Sequence, residues 1–183
     1  MSTIEQSTMT AEQLLAAPGL GRCELIRGEL IMMSPTGGEH GRLLTMLAAR
    51  LFGFVEPRNL GAVYSGDPGF LIARDPDTVR APDVAFVRAQ RVPAEPVRGY
   101  FEGAPDLAVE ILPPHDRATD VLDKVHRWLD AGCLIVWVVD PERRTVTVYE
   151  APDRAVTLAE EGELSGGDLL PGLRLPVAEV FAL

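Results

Sequence analysis

The sequence predicts an α/β (α+β) protein in which helices flank a mixed sheet, preceded by an N-terminal helix and a β-hairpin. Two runs, at residues 107–112 and 134–139, are almost continuously apolar, which is typical of central strands covered on both faces. A helix predicted over residues 119–131 separates them, so the two strands form a crossover unit and should be parallel. A second helix, predicted at 40–55, repeats apolar residues at helical spacing.

Length and composition indicate a single domain. The chain has 183 residues, of which 46% are hydrophobic and 24% are charged, enough for one buried core. We expect residues 1–9 to be disordered and residues 10–183 to form the domain. No apolar run approaches the roughly 20 residues of a membrane helix, so we expect a cytoplasmic protein without a membrane partner. Cys23 and Cys133 stand alone, which argues against a disulfide framework or a zinc site.

The N-terminal half contains a short helix, a hairpin, a long helix and several strands. Thr10 precedes AEQLLAA as an N-cap, and this helix should end at Pro18 and Gly19. Short apolar runs separated by turn residues predict the strands that follow. The hairpin strands are predicted at 23–26 and 30–33, the long helix at 40–55, and further strands near 60–65, 69–73 and 84–87.

The C-terminal half is organised around the crossover. Thr119 should cap its helix and Gly132 should end it. The buried stripe of this helix is predicted to comprise Val121, Leu122, Val125, Trp128 and Leu129. Residues 146–149 alternate as an edge strand, and more short strands and a terminal helical turn should follow. A proline-rich connection at about 90–105 precedes the crossover.

Lys124 is the only lysine in a chain with sixteen arginines. Arginine can replace lysine wherever only a solvated charge is needed, so a single retained lysine draws attention. A lysine offers a compact ammonium that can approach one reacting oxygen. The alternative is an ordinary surface charge on a helix. Asp120, Asp123, Lys124 and Arg127 form one polar stripe, within which Asp120 and Lys124 could pair.

Two carboxylates are candidates for chemistry. Glu110 interrupts an apolar strand predicted to be buried, where an ionised carboxylate needs a cation, a metal or strong hydrogen bonds. Asp83 follows Pro82 at the start of the strand at 84–87. Together they could bind one hard divalent cation, because Mg²⁺ takes one or two protein carboxylates and completes its shell with water and phosphate oxygens. The alternatives are a buried structural pair for Glu110 and a turn residue for Asp83.

Several motifs together resemble the PD-(D/E)xK nuclease-like superfamily and, within it, the Uma2 (Uma-two) family of restriction-endonuclease-like proteins. The resemblance covers nearly the whole chain after residue 10. It rests on the order and spacing of CELIRGELIMMSP, EHGRLL, VRAPDVAFV, PDLAVEIL, DVLDKVHRWLDAG, VWVVDPERRTVTVY and LPGLRLPVAEVF.

The resemblance implies a restriction-endonuclease-like fold and a set of site residues. Pro82-Asp83 corresponds to the PD element and Glu110 to the acidic residue, both as metal ligands. Leu112 stands where the superfamily has lysine, and Lys124 is the implied replacement. Glu24 and His40 match polar positions of the family, with Asp120 as a further supporting residue. His40 could bind phosphate, transfer a proton or cap a helix, and His115 receives no role.

The leading hypothesis is an Mg²⁺-dependent DNA endonuclease, with Mn²⁺ as a possible substitute, acting as a homodimer. Asp83, Glu110 and Lys124 would be its catalytic residues. A net charge of −10 opposes binding of a nucleic-acid backbone unless basic residues gather locally. One alternative is a catalytically silent nuclease fold serving dimerisation or regulation. Another is a metal hydrolase for a small phosphorylated substrate.

Overall fold

A six-stranded mixed sheet forms the centre of the fold. The computed structural model describes residues 8–17, 19–113 and 118–182. The helices are α1 (Ala11–Ala16), α2 (Gly38–Val55), α3 (Ala118–Asp130) and α4 (Val177–Val180). The strands are β1 (Cys23–Ile26), β2 (Glu29–Met32), β3 (Gly61–Ser65), β4 (Phe70–Ala73), β5 (Thr78–Arg80), β6 (Val84–Arg88), β7 (Phe101–Glu102), β8 (Leu107–Ile111), β9 (Ile135–Asp140), β10 (Thr145–Ala151), β11 (Arg154–Leu158), β12 (Glu163–Gly166) and β13 (Leu170–Pro176).

The central sheet has the strand order β11-β10-β9-β8-β6-β3. Strands β8 and β9 are parallel and α3 connects them, as the crossover pattern predicted. The other pairs in this sheet are antiparallel. In the register, Val109 lies opposite Val84 on one side and Trp137 on the other. The predicted mixed sheet flanked by helices is therefore confirmed.

Helices α2 and α3 cover opposite faces of this sheet. Leu47 and Leu51 of α2 join a core with Val109 of β8, whereas Val125 and Trp128 of α3 belong to a second core on the other face. Because side chains alternate along a strand, Leu107, Val109 and Ile111 share the α2 face. The same alternation assigns Ala108 and Glu110 to the α3 face. Glu110 therefore lies on the face of β8 that α3 covers.

Two smaller sheets complete the fold. One has the order β2-β1-β5-β4-β7 and the other pairs β12 with β13. Helix α1 packs Ala11 and Leu14 on the first of these sheets. The Thr10 hydroxyl accepts a hydrogen bond from the Gln13 amide, and the Gln13 side chain accepts one from the Thr10 amide. The predicted N-cap is thus confirmed as a complete capping box.

Several sequence-based predictions differ from the structure. Thr119 lies inside the first turn of α3 rather than at its N-cap, because the helix already begins at residue 118. Leu122 is 39% exposed, since it falls at the edge of the apolar stripe. Strand β10 is an interior strand, because β11 adds outside it. Strands β5 and β7 were not predicted, and β7 lies within the predicted connection at 90–105.

The N-terminus, the cysteines and the helices bear on three further predictions. Most of the predicted disordered stretch, residues 1–7, lies outside the described residues. Met9 is described, and its amide donates to the Gly28 carbonyl at 2.9 Å. Both cysteines are free thiols. None of the helices in the described part of the chain has the length and apolar character needed to cross a membrane.

Gly61→Ala should destabilise the protein by about 2–4 kcal/mol, as judged from chemical denaturation. A Cβ at Gly61 would lie 2.0 Å from the Val87 carbonyl oxygen and 2.9 Å from the Phe86 ring. Strand β6 pairs with β3 on one side and with β8 on the other, so the Val87 carbonyl and the Phe86 ring cannot retreat freely.

The matched control is Gly53→Ala in α2. A Cβ at Gly53 would meet nothing within 4 Å. The control should stabilise the protein by up to about 1 kcal/mol, because alanine loses less entropy in a helix. Equal behaviour of the two variants would contradict the close approach of β3 to β6.

Candidate active site

Three elements bring the predicted catalytic residues to one cavity. Asp83 precedes β6, Glu110 lies on β8, which pairs with β6, and Lys124 lies on α3, which follows β8. The cavity has a volume of about 310 Å³, and Asp83, Glu110 and Lys124 all line it. His40 and Arg22 complete its polar lining. Sheet pairing and the crossover therefore assemble residues that are distant in the sequence.

Asp83 is held by two hydrogen bonds. Its Oδ2 accepts from the Ile111 amide at 2.7 Å, and its Oδ1 lies 2.8 Å from His40 Nε2. An ionised Asp83 accepts from both, so Nε2 of His40 is the donor in this contact. The carboxylate is thereby fixed to the residue that follows Glu110. His40 Nδ1 is buried without a hydrogen-bond partner.

Glu110 is a buried carboxylate that α3 compensates. Trp128 Nε1 donates to Glu110 Oε1 at 2.8 Å, and Lys124 Nζ donates to Oε2 at 3.3 Å. Removal from water raises the pKa of Glu110, and the charges of Asp83 and Glu24 raise it further. The Lys124 ammonium and the Trp128 bond act in the opposite direction. On balance the pKa of Glu110 lies above the usual range of a glutamate.

Lys124 is a fixed cation of this cavity. The Glu110 carboxylate raises the pKa of Lys124, and this outweighs the opposing effect of burial. Lys124 is consequently an ammonium at neutral pH, suited to stabilising negative charge rather than to accepting a proton. The Lys124 side chain extends to Glu110, so the alternative interpretation of Lys124 as a surface charge paired with Asp120 is wrong.

Glu24 belongs to a second buried ion pair beside the cavity. Its Oε1 accepts from the Ala81 amide at 3.1 Å, and its Oε2 lies 3.2 Å from Arg80 Nη1. The contact with Arg80 is an ion pair without hydrogen-bond geometry, since Nη1 has no hydrogen-bond partner. Glu24 thus supports the backbone just before Asp83 and adds negative charge near Glu110.

The remaining predicted residues lie elsewhere. Asp120 is exposed, accepts a hydrogen bond from the Thr119 hydroxyl and does not line the cavity. His115 lies outside the described residues. Within the described ranges, no group of three or more His, Cys, Asp or Glu side chains is arranged to hold a metal ion. Two carboxylates, Asp83 and Glu110, are the candidate ligands.

Sequence reasoning missed two residues that matter here. Trp128 was assigned only to the apolar stripe, although it stands four residues after Lys124 and therefore on a neighbouring part of the same helix face. That spacing was a signal that Trp128 lies beside Lys124, although it gave no indication of the bond to Glu110. Arg22 carried no signal, because its partner Asp67 is 45 positions away.

The fold and the cavity define a restriction-endonuclease-like α/β protein. A family model described as "Uma2: Putative restriction endonuclease" matches residues 11–178. This chain therefore belongs to the Uma2 family, as its motifs predicted. No curated protein matches the sequence.

A solved structure supports the fold. The protein is similar to the crystal structure of "a putative nuclease belonging to DUF820" from Anabaena variabilis, with a TM-score of 0.81 and 22% identity. The match covers 94% of this chain and 97% of that one. At this identity the likeness establishes a common fold.

Trp128→Phe should destabilise the protein increasingly as the pH rises. The folded-state pKa of Glu110 lies above its unfolded value of about 4.5, and loss of the Trp128 bond raises it further. Below that unfolded value the destabilisation should consist only of the pH-independent packing cost of replacing a buried indole by a phenyl ring. As the pH rises through the folded-state pKa, it should grow by about 1–3 kcal/mol, because the ionised carboxylate has lost a donor.

Trp137→Phe is the matched control for this experiment. Trp137 is also fully buried, but its Nε1 has no hydrogen-bond partner. Its effect on the free energy of unfolding should not vary with pH. Chemical denaturation followed by far-UV circular dichroism at several pH values measures the free energy of unfolding of both variants. A pH-independent cost for Trp128→Phe would exclude the role in compensating Glu110.

Proposed function

We propose that this protein is a metal-dependent nuclease that hydrolyses phosphodiester bonds of DNA. The single observation that carries the proposal is the convergence of Asp83, Glu110 and Lys124 on one cavity. Membership of a family described as "Putative restriction endonuclease" supports the same chemistry.

The two carboxylates fit a hard divalent cation. Each carboxylate oxygen has about two acceptor positions, and hydrogen bonds or the ion pair use one on each oxygen of Asp83 and Glu110. Capacity for a cation remains on both residues. Mg²⁺ or Mn²⁺ suits a site with two protein carboxylates and otherwise water or phosphate ligands. When bound, such an ion lowers the pKa of a water molecule and polarises a phosphate oxygen.

The protein residues have distinct roles in this proposal. Asp83 and Glu110 hold the ion, and the Ile111 amide and His40 orient Asp83. Trp128 orients Glu110. Lys124 remains protonated and stabilises the charge that develops on the phosphate oxygens in the transition state. Glu24 and Arg80 support the strand that leads to Asp83.

The alternative is a catalytically silent module. It is favoured by the fact that Lys124 and Trp128 already compensate Glu110 without an added ion. Metal binding and cleavage distinguish the two functions. The homodimer and the cytoplasmic location stay predictions.

Asp83→Asn and Glu110→Gln should abolish Mg²⁺-dependent cleavage of DNA. Both are nearly isosteric and remove one ligand charge. Wild type should also gain thermal stability with Mn²⁺, by about 2.7 kcal/mol at a hundredfold excess over Kd, and the variants should lose this gain. Cleavage that persists in Asp83→Asn would reveal a contaminant or another site. A wild type that neither binds metal nor cleaves would favour the silent module.

Lys124→Arg should keep the positive charge and the metal-induced stabilisation, yet slow cleavage by at least about 100-fold. The reason is that a planar guanidinium cannot place its charge where the compact ammonium sits beside Glu110. The measurement is kcat on oligonucleotides under saturating Mg²⁺. Wild-type kcat in this variant would show that only the charge, and not its placement, is required.

A further inference from the structure

A second cavity lies beside the first and is lined by two arginines. It has a volume of about 220 Å³, and Arg22 and Arg80 contribute to its wall. Arg22, Met33 and Ala81 line both cavities, so these residues form their common boundary. The proposed catalytic chemistry does not use either guanidinium.

Arg22 is held in a fixed orientation with donors to spare. Asp67 accepts from Arg22 Nε at 2.6 Å and from Nη2 at 2.5 Å. These two bonds use two of the five N–H groups of the guanidinium. Its Nη1 has only a long contact of 3.4 Å with the Ser34 carbonyl oxygen, and Ser34 lines the first cavity. Arg22 therefore presents a donor edge near the boundary between the cavities.

Arg80 is a buried cation with unmet hydrogen-bonding capacity. Its side chain is 5% exposed, and its Nε and Nη1 have no hydrogen-bond partner. Glu24 offers one ion contact at 3.2 Å. Burying donors without acceptors is costly, and an anion in the neighbouring cavity would reduce that cost through its charge. Asp67 also lines this cavity, but Arg22 engages both of its oxygens.

We infer that the second cavity binds a phosphate group of the nucleic acid next to the one that is cleaved, with Arg22 as its hydrogen-bond donor and Arg80 as a supporting charge. The inference rests on the proposed function. In the first cavity the charges of Lys124 and of the shared Arg22 are offset by two carboxylates, so its lining has no excess positive charge to attract an anion. An arginine fork held by a carboxylate is suited to binding phosphate oxygens. Such a subsite would also explain how a chain with a net charge of −10 binds a polyanion, because the two arginines act locally.

The test measures binding apart from cleavage. A fluorescent single-stranded oligonucleotide is titrated with protein in chelator, and anisotropy is recorded over a series of salt concentrations. Arg22→Gln should bind more weakly than wild type at low salt. Its slope of log affinity against log salt should be smaller by about 0.7, which is the share of one phosphate contact on a single strand.

Three further variants separate this role from a structural ion pair. Asp67→Asn should keep the wild-type salt slope, because the charge on Arg22 remains. Arg22→Lys should keep the slope but bind several-fold more weakly, because the fork is lost. Arg154→Gln is the control, since Arg154 on β11 is an exposed arginine paired with Glu150 on β10. It should match wild type.

The source of the phosphate is resolved by comparing oligonucleotides with and without a 5′-phosphate. A stronger effect of Arg22→Gln on the phosphorylated oligonucleotide assigns the subsite to a terminal phosphate, and an equal effect assigns it to the backbone.

Wild-type affinity and slope in Arg22→Gln would overturn the inference, as would no binding by wild type. If Arg22→Gln does not fold, wild-type affinity in Arg22→Lys would overturn it. The Asp83→Asn variant separates this result from the catalytic proposal. It should bind the oligonucleotide as wild type does, although it should not cleave DNA.

Discussion

The burial of the Glu110 carboxylate inside the central strand is the constraint on which the site depends. An uncompensated charge at this position would oppose folding. Helix α3 supplies both the indole of Trp128 and the ammonium of Lys124, so the element that covers the sheet also compensates the charge. The crossover between β8 and β9 is therefore at once a packing unit and the scaffold of the cavity. Core and site share the same helix.

The position of Asp83 follows from the sheet ladder. Strand β6 pairs with β8 as far as Val84 and Val109, and beyond that point the Ile111 amide needs another acceptor. Asp83 provides it through Oδ2, which continues the connection between the two strands through a side chain. The relation between Asp83 and Glu110 is thus set by backbone register rather than by flexible side chains. Such a rigid arrangement is what binding of one ion by two carboxylates requires.

Charge around the cavities is arranged as neighbouring pairs. Glu110 faces Lys124, Glu24 faces Arg80, and Asp67 holds Arg22. Pairing lets an acidic protein keep several cations close to one cleft without a basic surface. The Arg22 guanidinium and the oxygens of Glu110 keep hydrogen-bonding capacity beyond these pairs. The global charge and the local binding capacity are therefore separate properties of this molecule.

The sequence alone determined the main helices, the parallel crossover, and the candidates Asp83, Glu110 and Lys124, whereas the short strands β5 and β7 carried no such signal. Apolar periodicity reports which face of an element is buried, and that sufficed to place Glu110 in a core strand. Tertiary structure decided which polar atoms meet there. Trp128 lies 18 residues from Glu110 and His40 lies 43 residues from Asp83, and only sheet register and helix packing bring such atoms together. Periodicity contains no such distances, which is why the Trp128 bond and the two arginines emerged only from the folded chain.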